Sequence, residues 1–300
     1  MCRSVKEASA GLYAENKVQW NAWFRSIVGV RYDAYRFDVD SGDDAGSGIV
    51  NSHITSPKGS LVFGPWARTE FFVNYGQGFH SNDARSLPSD GAGERAVPLV
   101  KTRGEEVGMR TELVPGLQSS LALWRLRLAS ELVFSGDAGD TEISRPSRRQ
   151  GIEFNNHYIA LPWLLFDLDL ALSKSRYTED DPAGNSIPGS IEKVASFGIS
   201  VLDRGPWFGH FQLRYFGPRP LVEDDSVRSG STTLTSARVG YRIGKNVRVA
   251  LDVFNLFDRK ASDIDYYYAS RLAGEATAVD DRHFHPVEPR TARVSLTARF

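Results

Sequence analysis

Near the carboxy-terminal end lie the side chains best suited to gripping a ligand. His283 and His285 flank Phe284, so on an extended segment both imidazoles point to one side, with Asp280 and Asp281 close by. Such a pair could contact a metal or a metal chelate. A third defined ligand is missing, so no resident metal or cofactor is expected, and a polar loop at the mouth of the last strand accounts for the same residues. Tyr266, Tyr267 and Tyr268 precede Arg271. Aromatic rings beside a guanidinium can hold an aromatic or anionic ligand, and the same rings would also suit an aromatic belt continuing a strand. No nucleophile stands beside a base. Gly76-Gln-Gly78 lacks the following helix that a phosphate-cradling loop needs, so no enzymatic role is expected.

A second set of charges sits inside apolar stripes. Leu164, Phe166, Leu168, Leu170 and Leu172 alternate with Asp167, Asp169 and Ser173. On a strand, alternate residues take opposite faces. Two aspartates would be ruinous in a dry core without partners, but they fit a face that meets water. Arg125 and Arg127 alternate with Trp124, Leu126 and Leu128, and Arg214, Arg238 and Arg242 lie in similar stripes. All seven charges are expected to line a wet interior. The chain ends on the strongest stripe, with Ala292, Val294, Leu296, Ala298 and Phe300 on one face and Thr291, Arg293, Ser295, Thr297 and Arg299 on the other. Its length suits a tilted strand crossing a bilayer.

Bulk properties leave room for that reading. Mean hydropathy is -0.33, and the longest apolar run, Ile159 to Phe166, is broken by Pro162, which excludes a spanning helix. A barrel hides its apolar surface in alternate positions, so low hydropathy does not exclude it. A net charge of -1 gives nucleic acid no electrostatic footprint. The single cysteine, Cys2, excludes an internal disulfide and a multi-cysteine metal site.

The periodicity predicts an all-β chain of about thirteen antiparallel strands in up-and-down order. Short turns near 20–23, 65–68, 114–117, 161–163, 203–206 and 244–246 alternate with long polar connections. The third strand is expected at Lys58–Gly64 after a loop from Asp40 to Ser56, and the fifth at Gly104–Leu113 after a loop from Ser81 to Arg103. The sixth is expected at Gln118–Ser135, and a long connection covers Asp258–Pro289. Trp20, Trp23, Trp66, Trp163, Trp207 and Phe208 fall where strands meet turns, as in an interfacial girdle.

Several pieces resemble the TonB-dependent outer-membrane receptors. They are Val30-Arg-Tyr-Asp33, Phe72-Val-Asn-Tyr-Gly-Gln-Gly-Phe-His80, Gly104-Glu-Glu-Val-Gly-Met-Arg-Thr-Glu112, Asp252-Val-Phe-Asn-Leu-Phe-Asp-Arg259 and the terminal Arg293 to Phe300. The resemblance implies a transmembrane β-barrel of the plugged 22-stranded class. It further implies import of a scarce nutrient, most often a ferric siderophore, across the cell outer membrane. Thirteen strands are about the last three-fifths of such a barrel. Residues 1–300 are therefore expected to be the C-terminal part of the barrel, with the plug domain absent and no signal peptide before it. The edges near 10–19 and 291–300 would carry unpaired backbone groups in lipid, so the chain is not expected to transport alone. The implied partners are outer-membrane lipid, the missing N-terminal plug and barrel strands, a small-molecule ligand, and the TonB complex only through the absent plug. No nucleic acid is expected. A passive porin-like channel and a soluble β-sandwich binding protein are the alternatives.

Overall fold

The computed structural model describes residues 4–40, 47–82, 97–130, 132–135 and 140–299. Cys2, Phe300 and parts of the expected loops 40–56 and 81–103 lie outside the described residues. The chain is all-β. Its first half supplies β1 (Ser4–Asn21), β2 (Phe24–Asp40), β3 (Gly48–Trp66), β4 (Thr69–Ser81), β5 (Leu99–Thr111) and β6 (Leu117–Leu128). A small hairpin follows, β7 (Leu132–Ser135) with β8 (Asp140–Ile143). Then come β9 (Ser147–Leu161), β10 (Leu164–Tyr177), β11 (Lys193–Arg204), β12 (Trp207–Phe216), β13 (Thr232–Ile243) and β14 (Val247–Phe254). A second hairpin, β15 (Ser262–Ser270) with β16 (Val279–Pro286), precedes β17 (Thr291–Ala298).

Thirteen of these strands form one antiparallel sheet in chain order, from β1 to β17, with the two hairpins left out. Among the described residues the sheet is open, and β1 and β17 are its edges. The short turns expected from the sequence all lie at one end and the long connections at the other.

Register through the centre of the sheet is continuous and sorts the side chains cleanly. Val73, Val107, Leu123, Ile152 and Leu172 sit side by side across β4, β5, β6, β9 and β10. They are 37–54% exposed. Asn74, Glu106, Trp124, Gly151 and Ser173 form the adjacent row on the opposite face. There Asn74 Nδ2 donates to Glu106 at 3.1 Å. Glycine is needed at 151 because a Cβ would stand 2.9 Å from the Trp124 ring. So one face is apolar and uncovered, and the other is polar with a few aromatics laid flat on glycines.

Among the described residues the sheet has no second layer, and each strand packs on its neighbours in the sheet. The accessible area is 18975 Å², against roughly 12,600 Å² for a compact protein of this mass by the usual scaling. Leu164, Phe166, Leu168 and Leu170 are half-buried or exposed and lie under nothing. An apolar surface of that extent is stable only against another apolar medium.

The thirteen-strand count agrees with the sequence, but several boundaries do not. β3 starts ten residues before the expected Lys58, because Gly48 to Pro57 pairs residue by residue with Val39 to Val30. That outer half of the β2–β3 hairpin carries Phe37, Val39 and Ile54, which pack with Leu99 into the buried apolar cluster. β5 begins at Leu99, not Gly104, for the same reason. β6 stops at Leu128, and the end of the expected sixth strand instead forms β7 of the β7–β8 hairpin. The 258–289 connection contains the β15–β16 hairpin where a loop was expected.

Aromatic rings gather at the turn end. Phe24 stacks on Phe63 at 5.1 Å, Trp20 on Phe24 at 6.4 Å and Trp23 on Trp66 at 6.1 Å. Further along, Trp207 meets Tyr241 edge-on at 4.8 Å, and Arg204 lies over Trp163 at 4.1 Å.

Candidate functional site at the long-loop end

Alternation on β15 and β16 decides which candidate residues meet. Tyr266 pairs with His283, Tyr268 with Asp281, Ile264 with His285 and Tyr267 with Arg282. Tyr266, Tyr268, His283 and His285 therefore share one face, and Tyr267 takes the other with Asp265 and Arg282. The Tyr268 and His283 rings stack at 4.0 Å with 21° between planes. His283 Nε2 also lies 3.3 Å from the Tyr268 carbonyl oxygen. His285 is exposed. Arg271 sits in the connecting turn, where its Nε donates to the Glu275 carbonyl at 2.9 Å, and the Glu275 carboxylate accepts the Leu272 N–H at 2.6 Å. The three tyrosines thus do not form one set, and Arg271 is held at the hairpin tip. Asp280 and Asp281 are exposed, and among the described residues no three His, Cys, Asp or Glu side chains converge on a metal position.

The reverse face of this hairpin fixes its position. Asp265 is 3% exposed, with Arg219 at 3.6 Å and Arg282 at 3.9 Å. Arg219 Nη2 donates to the Asp263 carbonyl at 2.9 Å, and the Thr232 hydroxyl donates to the Ser262 carbonyl at 2.6 Å. The hairpin is thus joined to the 217–231 connection and to the start of β13 by one buried ion pair and by hydrogen bonds to the Asp263 and Ser262 carbonyls.

Two further hubs tie the connections 178–192 and 217–231 together, and sequence reasoning missed both. Arg145 Nη2 donates to the Glu223 carboxylate and, at 3.1 Å, to the Gly184 carbonyl, and Nη1 lies 3.6 Å from Asp181. Its guanidinium covers the Tyr177 ring at 4.5 Å. Gly184 has φ +109, and a Cβ there would lie 2.4 Å from the Glu223 oxygen, so only glycine lets the two loops approach this closely. Arg228 donates to both Asp225 oxygens, at 2.6 and 2.8 Å, and to Glu192. Burial works against the Arg228 charge, but Glu192 and Asp225 outweigh it and hold its pKa above the ordinary value. Asp224 is held below the usual carboxylate range by the Ser226 backbone N–H and hydroxyl. A cavity of about 350 Å³ between these loops is lined by Arg176, Asp180, Asp181, Glu223, Asp224 and Asp225.

On the polar face, Asp167 accepts from His157 Nδ1 at 2.5 Å. Asp169 lines a cavity of about 550 Å³ with Glu70, Arg110 and Asn155. Glu70 accepts from Arg25 at 2.7 and 3.0 Å and from Arg110 at 2.6 Å, a cluster that no sequence pattern suggested. Arg238 and Arg293 flank Asp252 at 3.3 and 3.7 Å, Arg242 pairs with Asp203, and Arg214 is exposed. These five expected residues, Asp167, Asp169, Arg214, Arg238 and Arg242, do lie on the polar face. Arg125 and Arg127 do not. Their strand neighbours place them with Leu121 and Leu123 on the uncovered apolar side, beyond its apolar band.

The comparisons with known proteins agree with this architecture. The family model described as TonB dependent receptor-like, beta-barrel, matches residues 3–256. The metal-pseudopaline receptor CntO of Pseudomonas aeruginosa is 23% identical over 320 aligned residues, which cover 99% of this chain and 42% of that protein. The pesticin receptor of Yersinia enterocolitica is 20% identical over 211 residues, 68% of this chain and 31% of its own length. The crystal structure of the ferric-catecholate import receptor Fiu from K12 E. coli has the same fold, with a TM-score of 0.75, 18% identity, and coverage of 99% of this chain and 45% of that one. The chain therefore spans less than half the length of each of these three proteins.

Proposed function

This chain belongs to the TonB-dependent receptor β-barrel family, and from that premise we propose that it forms barrel wall and outer loops of a receptor importing a small molecule across the outer membrane. One observation carries the reading. A single-layer sheet has one uncovered apolar face and one charged face, with every long connection at one end. Lipid covers the first face and water or a plug domain meets the second. Residues 1–300 are read as the C-terminal part of the barrel. The sheet transports only when the backbone groups along β1 and β17 are paired by further strands, since each unpaired group costs several kcal/mol in hydrocarbon. TonB acts on such a receptor through its plug.

The ligand we propose is a metal chelate of siderophore type. The names of two relatives, a metal-pseudopaline receptor and a ferric-catecholate importer, support that class. In this reading Tyr266, Tyr268, His283 and His285 present one ring-bearing surface at the loop end, Arg271 adds a cation at the tip, and Tyr267 supports the hairpin from behind. To test it, the chain is purified in detergent and titrated with a ferric catecholate, with quenching of tryptophan fluorescence as readout. Binding that falls at least tenfold in Tyr268→Ala with His283→Ala supports the assignment, and unchanged affinity removes this hairpin from it. A monomeric preparation that stays soluble without detergent sinks the membrane reading as a whole.

A further inference from the structure

A mixed polar row and then a row of arginines cross the apolar side of the sheet immediately beyond its apolar band, towards the long loops. The band's last row is Val107, Leu123, Ile152 and Leu172 on β5, β6, β9 and β10. Two residues further along the same strands stand Glu105, Arg125, Gln150 and Lys174, and two further again Arg103, Arg127, Arg148 and Arg176. Four arginines thus lie directly opposite one another on four adjacent strands. Like charges in that relation repel. The two outer ones are held by acids, Arg103 by Glu105 at 2.6 Å and Arg176 by Glu192 at 3.9 Å. Arg125, Arg127, Arg148 and Lys174 are exposed and form no ion pair among the described residues, since Glu105, which stands opposite Arg125, is taken by Arg103. A groove of about 870 Å³ is lined from both sides of this boundary, by Leu123, Ile152 and Leu172 below and Arg125, Gln150 and Lys174 above.

We propose that this patch is a lipid-binding site, in which Arg125, Arg127, Arg148 and Lys174 hold the phosphate groups of an anionic lipid headgroup while its acyl chains lie along Leu123, Ile152 and Leu172. The proposal rests on the reading that this face meets lipid. Guanidinium and ammonium groups at a bilayer boundary extend their ends into the headgroup layer. There an anionic phosphate supplies the counter-charge that the row lacks, and guanidinium forks match phosphate oxygens bidentately. Charge alone attracts such a headgroup by about fivefold in partitioning per basic residue.

The test reconstitutes the full chain into phosphatidylcholine vesicles with added lipid A, or with the same lipid A after removal of its phosphates. After solubilisation and gel filtration, the retained lipid is measured by mass spectrometry. The chain is expected to retain phosphorylated lipid A and to lose roughly several hundredfold in affinity when Arg125, Arg127, Arg148 and Lys174 are all changed to Gln. The same four positions carrying Lys or Arg interchanged keep most of the binding, losing only what the bidentate guanidinium geometry adds, and Arg214→Gln with Arg238→Gln on the opposite face leaves it unchanged. β-Sheet circular dichroism identifies any variant that has simply misfolded, and the charge-preserving variant then decides the outcome. Insertion with equal retention of both lipids overturns the lipid site alone. A chain that stays monomeric and soluble without vesicles or detergent overturns it together with the membrane reading.

Discussion

The two ends of the same strands are held together by different interactions. At the turn end, connections are a few residues long and rings pack there: Phe24 on Phe63, Trp23 on Trp66, Trp207 against Tyr241. Among the described residues, ionic contacts at this end run only between strands of the wall itself, Arg25 and Arg110 on Glu70 and Arg242 on Asp203. At the loop end, long connections are bound by ionic hubs at Arg145, Arg219 and Arg228. The ring contacts are local, between strands already adjacent. The ionic contacts of the loop end join the long connections to one another and to the β15–β16 hairpin, and lose most when one partner is removed. This difference fits a molecule that needs a uniform wall below and one specific shape above.

The sharpest way to break the comparison is at Asp265. Replacing it by Ala leaves Arg219 buried without its carboxylate, and such a loss typically costs 3–5 kcal/mol. The expected damage is confined to β15–β16, read as faster hydrogen exchange there with β1–β14 unchanged. Exchange that rises across the whole sheet would mean the loop end is not separable from the wall. Leu168→Arg, midway along the apolar stripe of β10 between Leu164 and Leu172, attacks the wall itself. Placed at mid-membrane, it is expected to lower unfolding stability in lipid by about 2–4 kcal/mol, measured by urea titration in vesicles, and to do little in detergent-free solvent. The turn-end stack is tested by Phe63→Ala, which loses the ring contact with Phe24 worth about 0.5–1.5 kcal/mol beyond its buried area, on the same titration. A larger loss than that of Asp265→Ala would reverse the ranking argued here.

The wall was legible in the sequence because its rule is periodic. Leu164 to Leu172 against Asp167 and Asp169 needs no tertiary information to sort. β6 was misread because both of its faces are partly apolar: Trp124, Leu126 and Leu128 on one, Leu121 and Leu123 on the other. Only the pairing of Leu123 with Val107 and Ile152 shows which face is the uncovered one, and so where Arg125 and Arg127 point. The splitting of Tyr267 from Tyr266 and Tyr268 was available from alternation alone, once the segment is read as a strand and not a loop. The Arg145 hub was not available, since Glu223 lies 78 residues away and no local pattern marks either residue. Likewise Arg219 and Asp265 are brought together only by the docking of a hairpin that the sequence suggested as a loop.

The smallest expected effect separates the acidic loop from the arginine hubs beside it. Asp224 is exposed and accepts from the Ser226 N–H at 3.0 Å and its hydroxyl at 2.7 Å. Because these donors favour the carboxylate, its pKa is lower folded than unfolded. A group depressed in that sense stabilises the fold above the unfolded pKa, and the contribution disappears as pH falls through the folded value. The turn is therefore expected to hold at neutral pH and to loosen only below about pH 4. Amide exchange at Ser226 should show that acid step in the wild type and lack it in Asp224→Asn, whose side-chain oxygen still accepts but does not titrate. Arg228 keeps its charge throughout that range. A step at Ser226 that survives in Asp224→Asn would assign the acid sensitivity to the Arg228 hub, and the local turn would then be following the long-range ionic contacts after all.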